Sequence, residues 1–205
     1  PSYPSPATSV TRDIIPSVMP SLRSSVRQAA LAVCLVVAAP VSAVRAQSAA
    51  ATATFLDYRT AVPAGWTASS PSSSMRLAEY RVPGANGAAP VEIVVYFFGP
   101  GQGGTPEANL ARWKSQFSNP DGSPVAGLVR RDSTGAFPLT IAEYRGTYAR
   151  GVGMGSSASE ARPGHLLLAV VAETPRGTLF FQCFGPMAAV EAQRATYLQF
   201  VKGLR

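Results

Sequence analysis

The stretch best suited to chemistry is Gly99-Pro100-Gly101-Gln102-Gly103-Gly104, set between the apolar run Val91–Phe98 and a helix opening at Thr105-Pro106-Glu107. A glycine-rich turn at that place offers backbone N–H groups at the positive end of a helix, where carboxylate, sulfate or phosphate binds. The candidate ligand-binding residues are therefore Gly101, Gln102, Gly103, Gly104 and Thr105, with Arg112 farther along the helix, or a strand arginine, as counter-charge. The run lacks the Gly-Lys-Ser/Thr ending of a nucleotide-phosphate loop and the spacing of a dinucleotide fingerprint. A structural reading competes with the anion site, because four glycines and a proline also let a chain reverse tightly. The sequence leaves both open.

No catalytic set accompanies this turn. His165 is the single histidine, and no Gly-x-Ser-x-Gly elbow supplies a nucleophile for it; its place at the opening of a strand suits an exposed residue. One histidine, one cysteine beyond residue 46 and no calcium-loop pattern give no metal site, and no cofactor is expected. Glu79, Glu92, Glu143 and Glu173 could act as acid and base in pairs. Each lies close to an arginine (Arg76, Arg81, Arg145, Arg176), so ion pairing between strands explains them more simply. Tyr80, Tyr96, Tyr144, Tyr148, Trp66 and Trp113 suit a ligand pocket or an aromatic core.

Processing signals dominate the N-terminal region. Arg23 and Arg27 precede the apolar Ala29–Ala39, and Val44-Arg45-Ala46 places small residues where a signal peptidase cuts. Residues 1–46 read as an upstream extension plus a secretory signal peptide, with cleavage after Ala46 or, alternatively, Ala43. The bulky Val33 before Cys34 disfavours a lipoprotein anchor. Beyond residue 46 stand fourteen Lys+Arg against ten Asp+Glu, a net charge of +4 beside +7 for all 205 residues. That mild, dispersed excess, with Arg130-Arg131 its one adjacent pair, does not make a nucleic-acid surface. Cys183 has no partner for an internal disulfide and reads as a small buried hydrophobe. The expected location is exported, periplasmic or extracellular, with no transmembrane span in the mature chain.

The elements that must position these residues follow from pattern. Residues 47–61 read as a flexible lead-in with an edge strand at Phe55–Arg59, and 62–205 as one domain. Strands are expected at Met75–Val82, Val91–Phe98, Gly127–Asp132, Leu139–Tyr148, His165–Glu173 and Leu179–Gly185. A helix is expected over Pro106–Phe117, with Thr105 as N-cap, Pro106 first and Glu107 on the dipole, and another over Pro186–Lys202. Residues 149–164 form a Gly/Ser-rich loop. Val91–Phe98, Leu166–Ala172 and Leu179–Phe184 are apolar on both alternations, which requires cover on both faces of the sheet. The expectation is an α+β, three-layer α/β/α sandwich: a largely antiparallel sheet of six to seven strands with one helix on each face. YFFGP at 96–100 and QCFGP at 182–186 repeat one strand-to-helix turn 86 residues apart.

Ser73-Ser74-Met75-Arg76-Leu77-Ala78-Glu79-Tyr80, then YFFGPGQGG, then Asn109, Arg112-Trp113 and Gln116-Phe117, resemble a family of exported bacterial proteins and predicted lipoproteins of unknown function. The resemblance covers most of residues 62–205 and implies no activity. More loosely, the element order is similar to that of PsbP-like α/β/α sandwich proteins, an analogy of fold alone. The expected function is that of an exported, non-enzymatic accessory or binding protein, monomeric or weakly oligomeric, with a protein or small-molecule partner. The alternatives are a small-molecule or anion-binding protein using Gly99–Gly104, and an enzyme of unrecognised type.

Overall fold

The computed structural model of the chain describes residues 51–84, 87–149 and 160–205. Residues 1–46, expected as an upstream extension and signal peptide, and most of the loop expected at 149–164 lie outside the described residues. The described residues form ten strands and two helices. β1 (Thr52–Phe55) and β2 (Tyr58–Ala61) make a hairpin. The main sheet contains β3 (Thr67–Ser69), β4 (Arg76–Val82), β5 (Val91–Tyr96), β6 (Phe117–Ser118), β7 (Leu128–Asp132), β8 (Leu139–Tyr148), β9 (Arg162–Thr174) and β10 (Gly177–Pro186). Its order is β3-β4-β5-β10-β9-β8-β6, with β7 also on β8, and every pairing is antiparallel. Helix α1 spans Pro106–Lys114 and α2 Met187–Lys202. The class is α+β with a mostly antiparallel sheet.

Eight strands stand in the main sheet, where six to seven were expected. β3 and β6 have three and two residues, too few for a period-2 pattern to register. Residues 52–61 form a hairpin in place of a single edge strand, and it is packed: Phe55 is buried with its ring edge-on to Phe181 and Phe200. The Thr60 hydroxyl donates to the Phe200 carbonyl at 2.6 Å, tying the hairpin to α2. Helix α1 stops at Lys114, short of Phe117. Phe117 instead pairs with Tyr148 at the sheet edge, where its ring is buried in the same cluster as Leu110 and Trp113 of the helix.

The doubly apolar strands sort their two alternations into two clusters. Val91, Ile93 and Val95 of β5, with Leu179, Phe181 and Cys183 of β10, pack against Val190, Tyr197, Phe200 and Val201 of α2. Leu167, Ala169 and Val171 of β9, with Phe180 of β10, pack against Leu110 and Trp113 of α1. Each fully buried large apolar side chain contributes roughly 1.5–3 kcal/mol, so burial of β9 and β10 on both faces, and of β5 on its α2 side, supplies the core. Among the described residues, no helix is long and apolar enough to cross a membrane.

Candidate functional site

The glycine turn is built around a buried side chain. Gly99, Gly101, Gly103 and Gly104 all have positive φ, between 67° and 103°, a region open to glycine at little cost. At Gly103 a Cβ would lie 2.5 Å from the Phe98 ring. Thr105 is the N-cap of α1, its hydroxyl accepting from the Ala108 N–H at 3.2 Å. Asn109 fills the inside of the turn: its side-chain amide donates to the carbonyls of Gly103 (2.6 Å) and Thr105 (3.1 Å). Arg112 then donates to the Asn109 side-chain oxygen at 2.5 Å. Gly103, Thr105 and Arg112 are thus brought together through Asn109, whereas Gly101 and Gln102 lie at the exposed tip. The turn gathers carbonyls toward an amide donor on its inner side, an arrangement that anchors the helix start.

Arg112 also borders open space. It lines a cavity of about 390 Å³ with Met75, Phe98 and Trp113. A second cavity of about 250 Å³ is lined by Arg76, Glu92, Arg162 and Phe184. The two share Tyr96, Gln116, Tyr148 and Gln182 and so form one groove beside α1. Its floor is the α1-side alternation of the sheet. Tyr96 on β5, Gln182 and Phe184 on β10 and Tyr148 on β8 occupy it because residues two apart share a face and β10 lies between β5 and β9. A third cavity, of about 770 Å³, adjoins through Arg76, Glu92 and Val94. Its cations are already matched, Arg76 to Glu79 at 3.0 Å and Arg81 to Glu92 at 3.7 Å.

The groove combines donors with aromatic surface. The Arg76 guanidinium lies 5.5 Å from the Tyr96 ring centroid, a cation–π geometry. Tyr96 and Phe98 run nearly parallel, and Tyr148 meets Phe184 at 4.5 Å. The Gln182 and Gln116 amides make no hydrogen bond among the described residues, and both are half-buried. Sequence reasoning missed Gln182, Gln116 and Arg162. For Gln182 a signal existed: it is the polar residue that interrupts the α1-side alternation of an otherwise apolar strand. Burial would raise the Glu79 carboxyl, but hydrogen bonds from Ser72 and Arg76 hold it below the usual glutamate range.

The other chemistry-bearing residues serve the scaffold. Glu143 faces α2, where Arg194 holds both its oxygens at 2.6 and 2.8 Å and Arg145 adds a contact at 2.9 Å. Arg194 above all, and Arg145, keep the Glu143 carboxyl below its ordinary range although burial opposes this. Arg145 and Arg194 also bind Glu191, closing a four-charge cluster between β8 and α2. Of the ion pairs expected between strands only Arg81–Glu92 joins two strands; Arg76–Glu79 and Arg145–Glu143 each lie within one strand, and Arg176 pairs with Asp57 instead of Glu173. His165 lies inside β9, its Nδ1 2.9 Å from the Pro163 carbonyl. Cys183 is wholly buried on the α2 side. The Tyr197 hydroxyl, in the same core, is the one buried side-chain polar atom among the described residues without a hydrogen-bond partner. No cluster of three potential metal ligands occurs among the described residues.

No protein-family model and no curated protein matches the chain. Among solved structures, it is similar to CyanoP, the PsbP of the cyanobacterium Synechocystis sp. PCC 6803. That likeness has 10% identity, covers 82% of this chain and 99% of that one, and has a TM-score of 0.47. It is also similar to PA94, a protein of unknown function from Pseudomonas aeruginosa, with 13% identity, coverage of 77% and 97%, and a TM-score of 0.42. Likenesses this distant transfer no residue role and no activity.

Proposed function

We propose that the chain is an exported, non-enzymatic binding or accessory protein, an α/β/α sandwich that holds a small ligand in the groove beside α1. One observation carries this reading. Gln182 presents a side-chain amide, without a hydrogen-bond partner among the described residues, from a central strand into a half-open, aromatic-lined cavity. The amide keeps access to solvent, so a ligand entering the groove can replace water on it and gain its hydrogen bonds. The surrounding side chains are donors and rings suited to recognition. The ligand seat is therefore the groove, and the Gly99–Gly104 turn supports it through Asn109 and Arg112. Export is supported by the sequence pattern of residues 19–46.

The test is recovery of the mature protein from an exporting host under mild conditions, then mass spectrometry of small molecules released on denaturation. A released compound that rebinds wild type and not Gln182→Leu supports the groove. A compound that binds both equally, or an empty protein that no small molecule in a broad panel stabilises, removes the reading. N-terminal sequencing of the same material checks export, which fails if the residues before Ala43 remain attached.

A further inference from the structure

We infer that the groove selects a small aromatic carboxylate carrying a hydrogen-bonding ring substituent, with the carboxylate at Arg112. This rests on the groove being a ligand site and specifies what it takes. Charge comes first. Arg76 and Arg81 are matched by Glu79 and Glu92, whereas among the described residues the Arg112 guanidinium hydrogen-bonds only the neutral side-chain oxygen of Asn109. A guanidinium has five N–H donors in a planar fork, so most of its donors remain for an incoming group. Arg162, on the wall of the adjoining cavity, makes no ion pair among the described residues. The groove therefore carries an excess of cation, and a planar anion matches a guanidinium fork.

Shape and polarity set the rest. Phe98 and Trp113 flank Arg112, and Tyr148 and Phe184 continue the aromatic wall past Gln182. Rings gain most from another ring laid edge-on or offset against them, which favours an aromatic body over a flexible aliphatic chain. The half-buried Gln182 amide both donates and accepts, so it suits a hydroxyl or amide on that ring. Cavities of about 390 and 250 Å³ joined by four shared residues suit a compact one- or two-ring ligand. Asn109 gives the site its rigidity, because it holds the Arg112 head against the glycine turn before any ligand arrives.

The experiment is isothermal calorimetry on the mature protein with 4-hydroxycinnamate and indole-3-acetate. The controls are cinnamate, 4-hydroxycinnamamide, cyclohexanecarboxylate and inorganic phosphate. The expected result is binding of an aromatic acid at least roughly tenfold tighter than the neutral amide and the non-aromatic acid, the scale of one charge-assisted contact. Arg112→Met should weaken the acid roughly tenfold or more and leave the amide unchanged, which a merely destabilised fold would not do. Gln182→Leu, which leaves Arg112 and its Asn109 contact in place, should weaken the hydroxylated acid more than cinnamate. Equal binding of acid and amide, or indifference to Arg112→Met, overturns the inference. So does binding of either acid seen only at millimolar concentration. If phosphate or cyclohexanecarboxylate binds as well as the aromatic acids and Gln182→Leu abolishes it, the aromatic class is overturned while the groove stands. If nothing binds and no ligand co-purifies, both fall.

Discussion

Asn109 donates its side-chain amide to the Gly103 carbonyl at 2.6 Å, and this one contact ties the glycine turn to the first turn of α1. The same amide reaches Thr105, and its oxygen receives Arg112, so turn, cap and groove cation form a single hydrogen-bonded unit. Asn109 is buried. Asn109→Ala leaves the Gly103 carbonyl without its donor, removes the Arg112 acceptor and leaves Thr105 only the backbone N–H of residue 109, and should cost about 2 kcal/mol. That corresponds to a fall of about 6 °C in melting temperature for a domain of this size. A loss under about one degree in thermal unfolding would show that the unit contributes nothing to stability.

Two glycines in that turn should respond differently to the same methyl group. At Gly101, with φ 67°, an added Cβ would meet nothing within 4 Å, whereas at Gly103, with φ 90°, it would meet the Phe98 ring at 2.5 Å. Gly101→Ala should cost about 1 kcal/mol, from backbone conformation alone. Gly103→Ala adds a steric clash with an aromatic wall of the groove and should cost about 2–3 kcal/mol more. Equal destabilisation of the two variants in urea titrations would contradict this.

Much of the scaffold is legible in the sequence, and the reasons are local. Thr105-Pro106-Glu107 announces a helix start that the structure places at the same residue, and the two-sided apolarity of Leu166–Ala172 and Leu179–Phe184 reflects real burial on both faces. On Val91–Phe98 the α1-side Tyr96 and Phe98 are only half-buried, because they border the groove. β3 escaped because three exposed residues carry no periodic signal. The groove escaped for a different reason. Arg76, Phe98, Arg112 and Phe184 belong to four separate sequence segments, and only the pairing of β10 with β5 assembles them. A pattern along the chain marks such residues but not where they meet. Gln182 shows the limit most clearly: one polar residue in an apolar strand reads as noise until the face it occupies is known.

Acid should weaken the fold through the cluster that joins β8 to α2. Arg194 foremost holds the carboxyls of Glu143 and Glu191 below the usual value of 4.5. A carboxylate whose pKa is lower folded than unfolded stabilises fully above its unfolded value and loses that contribution as pH falls toward the folded one. The melting temperature should therefore stay level from neutral pH to about pH 5 and then decline. Glu143→Gln should flatten part of that decline and cost roughly 3 kcal/mol at neutral pH, because it leaves Arg194 with one carboxylate partner in place of two. A variant with the wild-type pH profile would sink this assignment.

Cys183 should be inert in the native protein. Burial pushes its thiol up to about 12, while the charge of Arg194 opposes this slightly. The thiolate is the reactive form, and the residue has no exposed surface. Iodoacetamide at mildly alkaline pH, with adducts mapped by mass spectrometry, should modify Cys183 only after denaturation. Rapid labelling of folded protein would mean that α2 opens readily.

The position of β10 has a consequence for how the molecule holds together. β3, β4 and β5 form one run of sequential neighbours, β8, β9 and β10 another, and the pairing of β10 with β5 is the seam that joins them. Tyr96 stands on the β5 side of that seam and Tyr148 and Arg162 on the other, with Gln182 on the seam itself, paired with Val94. Anything held in the groove spans both sides. Its grip would act as a clasp across the joint, slowing amide exchange along β10 more than on the outer strands.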